Sequence, residues 1–84
     1  MVFKSNNTTK KNPLLLKLKE AQINLSMTNE KFAHHLNIST SLWSQTRTGV
    51  KPINISVLSG VLNKFPEMQN DVIRYLMNNH HEQT

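Results

Sequence analysis

The hydrophobic positions of this chain recur at helical spacing. The first regular stripe has intervals of four, three and four residues, which places its members on one face of a helix; they are Leu14, Leu18, Ala21 and Leu25. Asn12 and Pro13 precede the stripe, and asparagine as a cap followed by proline in the first turn is typical of a helix start. No segment alternates apolar and polar residues with a period of two. The pattern therefore predicts an all-α fold.

Four further helices are predicted from caps and short apolar faces. Thr28, Ser39 and Asn54 are suitable caps for the second, third and fourth helices. Gly49 closes the third helix, and Phe65 before Pro66 closes the fourth, because a residue that precedes proline is disfavoured in the helical region. The fifth begins at residue 69 or 70. The apolar faces of the last two comprise Val57, Leu58, Val61 and Leu62, and Val72, Ile73, Leu76 and Met77.

The predicted helices occupy residues 13–79, and the flanking segments are polar. Residues 1–12 carry three lysines without apolar periodicity and are predicted to form a flexible basic arm, and residues 80–84 a polar tail. A chain of 84 residues holds one core. The longest apolar run has three residues, and Asn6 to Thr9 stand where a signal peptide would be apolar. We therefore expect one cytoplasmic domain with no membrane partner.

Charge is distributed unevenly along the chain. The net charge is +5. Residues 1–51 contain eight basic and two acidic residues, whereas residues 52–84 contain two basic and three acidic ones. Charge alone supports two interpretations equally. Either one face of the protein binds a polyanion, or the charged residues only contact solvent and the chain carries a lysine-rich arm.

The middle of the chain has the pattern of two steeply crossing helices. Residues 28–52 read TNEKFAHHLNISTSLWSQTRTGVKP. Only Asn37, Ile38 and Ser39 separate the second and third predicted helices, and asparagine tolerates the left-handed conformation of a tight exit. Ala33 is small enough for a close crossing, and Ile38 and Trp43 can fill the space between the helices. This pattern predicts a helix-turn-helix, whose second helix projects into a DNA major groove.

These residues resemble the lambda-repressor-like, Cro/phage-repressor (Xre-type) helix-turn-helix family, over about residues 14–65. The matching positions are Thr28, Glu30, Phe32, Ala33, Leu36, Ile38, Ser39, Trp43, Ser44, Gly49, Lys51 and Pro52. The resemblance implies a five-helix lambda-repressor-like domain that binds double-stranded DNA and regulates transcription, as a repressor, without a cofactor. This chain has Asn37 in place of the turn glycine and Asn29 in place of a phosphate-contacting glutamine. Arg47 replaces an acid, so we expect other contacts here in place of an internal ion pair of the family.

Helical geometry separates the two sides of residues 39–48. At 100° per residue, Trp43, Ser39 and Thr46 share one side, with Arg47 at its edge. The opposite side carries hydroxyls and one amide. Glutamine can bond adenine at two atoms, and serine or threonine can contact bases or phosphates. The alternative is a merely solvated helix surface. The predicted base contacts are Thr40, Ser41, Ser44 and Gln45.

Contacts to the DNA backbone are predicted around this helix. Backbone N–H groups near Thr28 and Asn29 favour an anion, and the Asn29 amide can itself donate. Thr48 is assigned to the same role, and the resemblance implies it for Lys51 in the loop that follows. Two lysines of the arm, Lys10 and Lys11, either add salt-dependent affinity or take no part.

The composition argues against a metal site and against catalysis. The chain has no cysteine, so thiolate ligands, disulfides and thiol nucleophiles are excluded. The pairs His34–His35 and His80–His81 are adjacent in sequence and point about 100° apart on a helix, which is unsuitable for chelation. Only five carboxylates are present, with no glycine-rich phosphate loop. We expect no metal, no cofactor and no enzymatic activity.

The main alternative is an antitoxin-like or accessory protein-interaction module with the same fold. It is supported by the fifth helix. Tyr75 and its apolar neighbours there give more apolar surface than a core of four helices requires. Those neighbours, which could equally form a homodimer interface or close the core, are Ile73, Leu76 and Met77. Because members of the family usually bind paired half-sites, a homodimer on DNA is the expected assembly.

Overall fold

The computed structural model describes the backbone of residues 12–83 and the side chains of residues 12–78. Within that range the chain forms five α-helices and no strand, as the apolar spacing predicts. A short 3₁₀ turn, Pro66–Met68, precedes the last helix. The helices are α1 (Pro13–Asn24), α2 (Asn29–His35), α3 (Thr40–Arg47), α4 (Ile55–Lys64) and α5 (Gln69–Gln83). Most of the predicted arm, with Lys10 and Lys11, lies outside the described residues.

Polar side chains fix the starts of the first four helices. In each case the residue before the helix has an extended backbone, and its side-chain oxygen accepts a first-turn N–H at 3.0–3.1 Å. Such a bond satisfies a donor that has no partner within the helix, and it typically stabilises the helix by about 1 kcal/mol. All four caps are the ones predicted from the sequence: Asn12, Thr28, Ser39 and Asn54.

The core is centred on Phe32 of α2. Its ring lies 4.8 Å from the indole of Trp43 in α3 and 6.1 Å from the ring of Phe65 after α4, measured between centroids. Every helix contributes buried apolar side chains to this cluster. They are Leu14, Leu18, Phe32, Ala33, Leu36, Trp43, Ile53, Val57, Leu58, Val61, Phe65 and Val72.

Leu25 and Leu62 lie on predicted apolar faces of α1 and α4 but are not buried. Leu25 keeps helical geometry, with its N–H bonded to the Ala21 carbonyl at 3.0 Å. It is half-exposed because it is the last residue of the stripe and the chain turns away directly after it, at Ser26 with φ 56°. Leu62 is also half-exposed, since the buried side of α4 is formed by Val57, Leu58, Gly60 and Val61 and leaves Leu62 on its flank.

Among its described side chains, α5 contacts the rest of the domain through the buried Val72, through Tyr75, which packs on the core, and through an ion pair of Asp71. Val72 enters the core, and the Tyr75 hydroxyl donates to the Ile53 carbonyl at 3.3 Å. Lys17 Nζ of α1 lies 3.4 Å from Asp71 Oδ2. The helix continues through residues 80–83, which the polar composition predicts as a tail, because neither glycine nor proline interrupts this segment.

Candidate nucleic-acid interface

The turn between α2 and α3 has the tight geometry predicted for it. Asn37 adopts the left-handed conformation at φ 61°, which asparagine tolerates better than most residues. The Ile38 N–H donates to the Ala33 carbonyl at 3.0 Å, which satisfies a carbonyl at the end of α2. Ala33 is fully buried and Ile38 packs against the core. These contacts hold α3 against α2 at a fixed angle.

Helix α3 has an apolar side and a polar side, as predicted. Trp43 and Thr46 are fully buried, whereas Ser39, which the same spacing places on that side, is exposed because it is the cap residue before the helix. Thr40, Ser41 and Thr48 are exposed, and Ser44 and Gln45 are partly so. We call these last five residues the outer face of α3. The outer face contains no apolar and no charged side chain, so what it offers to a ligand is hydroxyl groups and one amide.

The loop after α3 folds back on the helix end. Gly49 has φ 86°, a conformation that favours glycine, and its N–H donates to the Thr46 carbonyl at 3.2 Å. The Lys51 N–H then donates to the Gln45 carbonyl at 3.1 Å. The exposed Lys51 side chain therefore starts beside the last turn of the outer face.

A phosphate oxygen can only accept a hydrogen bond, so a predicted contact to the DNA backbone needs a proton that is not already used within the protein. The internal hydrogen bonds of Thr28 and Thr48 differ in this respect. The Thr28 hydroxyl oxygen accepts the cap bond from Lys31 N, which leaves its own O–H to donate. The Thr48 hydroxyl already donates to the Ser44 carbonyl at 2.9 Å, so its proton is engaged by the helix. Thr28 suits a phosphate contact in this structure, whereas Thr48 would have to rotate first.

A residue that the sequence patterns did not single out connects the three N-terminal helices. Gln22 of α1 is 6% exposed, and its amide contacts Asn29 of α2 and both Trp43 and Arg47 of α3. Arg47, for which we expect contacts other than the ion pair of the similar family, thus donates to a neutral amide. The sequence contains one indication of this role. Gln22 continues the four-residue spacing of Leu14 and Leu18 and so lies on the buried side of α1, where a polar side chain needs hydrogen-bond partners.

The predicted dimer residues lie at the surface of α5. Ile73 is 44% exposed, Leu76 46% and Met77 65%, so these side chains do not close the core of the monomer. Tyr75, between them in sequence, turns instead toward the domain and packs on the core. Ile73, Leu76 and Met77 thus form an exposed apolar stripe on α5.

The two histidines of α2 have different surroundings. His34 is exposed, and His35 meets the ring of Phe65 edge-on at 5.7 Å between centroids. Over the described residues no group of three or more His, Asp or Glu side chains is placed to hold a metal ion. None of the helices described here has the length and apolar composition needed to span a bilayer.

No protein-family model, curated protein or solved structure matches the chain.

Proposed function

We propose that this chain is a lambda-repressor-like regulator of transcription that binds double-stranded DNA and inserts α3 into the major groove. The observation that carries the proposal is the two-sided nature of α3. Its inner side is anchored by a fully buried Trp43, while its outer face is entirely polar and uncharged. Hydroxyls and an amide on a rigidly held helix are suited to base edges, where hydrogen bonding distinguishes one sequence from another.

The surroundings of α3 supply the cations that its outer face lacks. Lys51 starts beside the last turn, and Lys31 is exposed on α2, which packs against α3. Basic side chains beside a neutral reading surface match the usual division of labour, in which phosphate contacts position a protein and base contacts specify the site. In this role the protein acts in the cytoplasm, on the nucleoid, and represses by occupying its site.

A homodimer is the assembly that suits this function best. One helix reads only a few base pairs, so selective binding within a genome calls for two half-sites. The exposed stripe of Ile73, Leu76 and Met77 offers an apolar surface through which two copies would pair. The second candidate function, an antitoxin-like interaction module, draws on the same stripe and would use it to bind a different protein.

Selection of bound sequences from a random DNA pool tests the function directly. A DNA-binding regulator should enrich a defined motif, and binding should weaken as the salt concentration rises. An interaction module should enrich no motif, and the same result would overturn our proposal. Titrating the full chain against the enriched site and against a scrambled site then gives the specificity ratio.

A further inference from the structure

Gln22 uses its complete hydrogen-bonding capacity inside the protein. Oε1 accepts from Trp43 Nε1 at 3.0 Å and from Arg47 Nη1 at 3.2 Å. Nε2 donates to the Met27 carbonyl at 3.1 Å and to Asn29 Oδ1 at 2.9 Å. An amide oxygen has two lone pairs and an amide nitrogen two protons, so all four positions are filled.

The chemistry of the partners fixes the orientation of both amides. Tryptophan and arginine can only donate, and a backbone carbonyl can only accept, so Gln22 must turn its oxygen toward α3 and its nitrogen toward Met27. Asn29 is then left facing an N–H group and has to present its oxygen. The Asn29 Nδ2 group therefore lies on the side away from Gln22, on a residue that is partly exposed.

We propose that Gln22 is a positioning residue for DNA-backbone recognition. It holds the Asn29 amide with its two N–H groups turned outward, the orientation in which they can donate to a phosphate. The inference rests on the proposed function. Without Gln22 the amide can turn over at little steric cost, because its oxygen and nitrogen ends have nearly the same shape. The reversed amide would present an oxygen to a phosphate and repel it.

The variant Gln22→Glu separates this role from a general structural one. A glutamate side chain keeps both acceptor positions for Trp43 and Arg47 but loses both donors, so Asn29 can regain a bond only by turning its Nδ2 inward. We expect a folded protein, checked by circular dichroism, that binds the selected site about tenfold more weakly. That factor corresponds to the loss of one hydrogen bond to a charged group.

Two controls isolate the effect on Asn29. Asn24→Asp adds the same charge at an exposed position of α1 and should weaken binding much less. In an Asn29→Ala background the Gln22→Glu substitution should weaken binding no more than Asn24→Asp does, because no amide remains to be oriented. Equal losses from Gln22→Glu and Asn24→Asp would overturn the inference, as would an undiminished loss in the Asn29→Ala background.

A measurement on the unmodified chain covers the case in which Gln22→Glu does not fold. In NMR spectra of the wild type, adding the selected DNA should shift the side-chain N–H signals of Asn29 and change those of Gln22 far less, since only the former acquire a new acceptor. Binding without any shift of the Asn29 signals would overturn the positioning role while leaving the proposed function intact. Failure of the wild type to bind any DNA would overturn both.

Discussion

Gly60 of α4 lies directly against the backbone carbonyl of Leu36, at the end of α2. A Cβ atom at position 60 would overlap with the Leu36 oxygen, which belongs to the backbone and cannot rotate away. The glycine thus sets how closely α4 approaches the helix-turn-helix. It also explains why the buried side of α4 includes Gly60 and leaves Leu62 at the surface.

Gly60→Ala should lower the free energy of unfolding by about 3 kcal/mol, the upper part of the range for an overpacked core. The expected loss is notable because alanine is the better helix former. Ser59→Ala, at the exposed neighbouring position, is the matched control and should be neutral or slightly stabilising. Chemical denaturation followed by circular dichroism measures both. A Gly60→Ala variant as stable as the wild type would contradict the close approach of α4.

Trp43→Ala should destabilise the domain by roughly 3–5 kcal/mol, since it removes the largest fully buried side chain and leaves a cavity beside Phe32. A domain of this size has little stability to spare, so much of the protein should unfold. Trp43→Phe keeps an aromatic ring and should cost less. Thermal melts by circular dichroism test the series. A stable Trp43→Ala protein that had merely lost DNA binding would show that Trp43 belongs to the outer face.

Under the proposed function, Gln45→Ala should cost about 1–3 kcal/mol of binding free energy on the selected DNA site and much less on random DNA, because the proposed two-atom base contact would disappear. Lys51→Ala is the informative comparison. As a phosphate contact it should weaken binding to both DNAs about equally and reduce the salt slope by about 1. Fluorescence anisotropy at several salt concentrations measures these effects. If Gln45→Ala weakened both DNAs alike, Gln45 would have a backbone role instead.

Leu76→Asp should abolish dimer formation on DNA, because it places a charge within the apolar stripe of α5. Asn78→Asp adds the same charge at an exposed position on another side of the helix and should leave the assembly intact. The selected site should be an inverted repeat with half-sites about 10 base pairs apart. Sedimentation of the protein with that DNA gives the stoichiometry. A one-to-one complex on a site without two-fold symmetry would rule out the dimer.

Structural features that depend only on residues close in sequence could be predicted. Thr28 and Ser39 cap helices because a hydroxyl reaches an N–H three residues ahead, whatever the rest of the chain does. Asn37 and Gly49 adopt positive φ values for equally local reasons. The phase of α3 followed from its own spacing, so the burial of Trp43 and the outward position of the outer face were predicted. The spacing also placed Ser39 on the buried side, and that was wrong because Ser39 precedes the helix as its cap.

Structural features that depend on residues distant in sequence could not be predicted. The burial of Gln22 becomes intelligible only when Trp43, 21 residues away, is brought alongside to donate to it. The role of Gly60 requires the position of the Leu36 carbonyl. Leu25 keeps the helical phase that its spacing predicts, but it lies at the end of α1, where the left-handed Ser26 turns the chain away. Serine is a weaker sequence signal for such a turn than glycine.

The Lys17–Asp71 pair lies where α1 meets α5, two helices that are far apart in sequence. The first four helices are capped by residues adjacent to them, so they can begin to form before distant parts of the chain meet. Bringing α1 against α5 closes the longest loop and therefore carries the largest entropic cost on the folding pathway. Folding should be fast, as in other helical domains dominated by local contacts, with the docking of α5 as its late event.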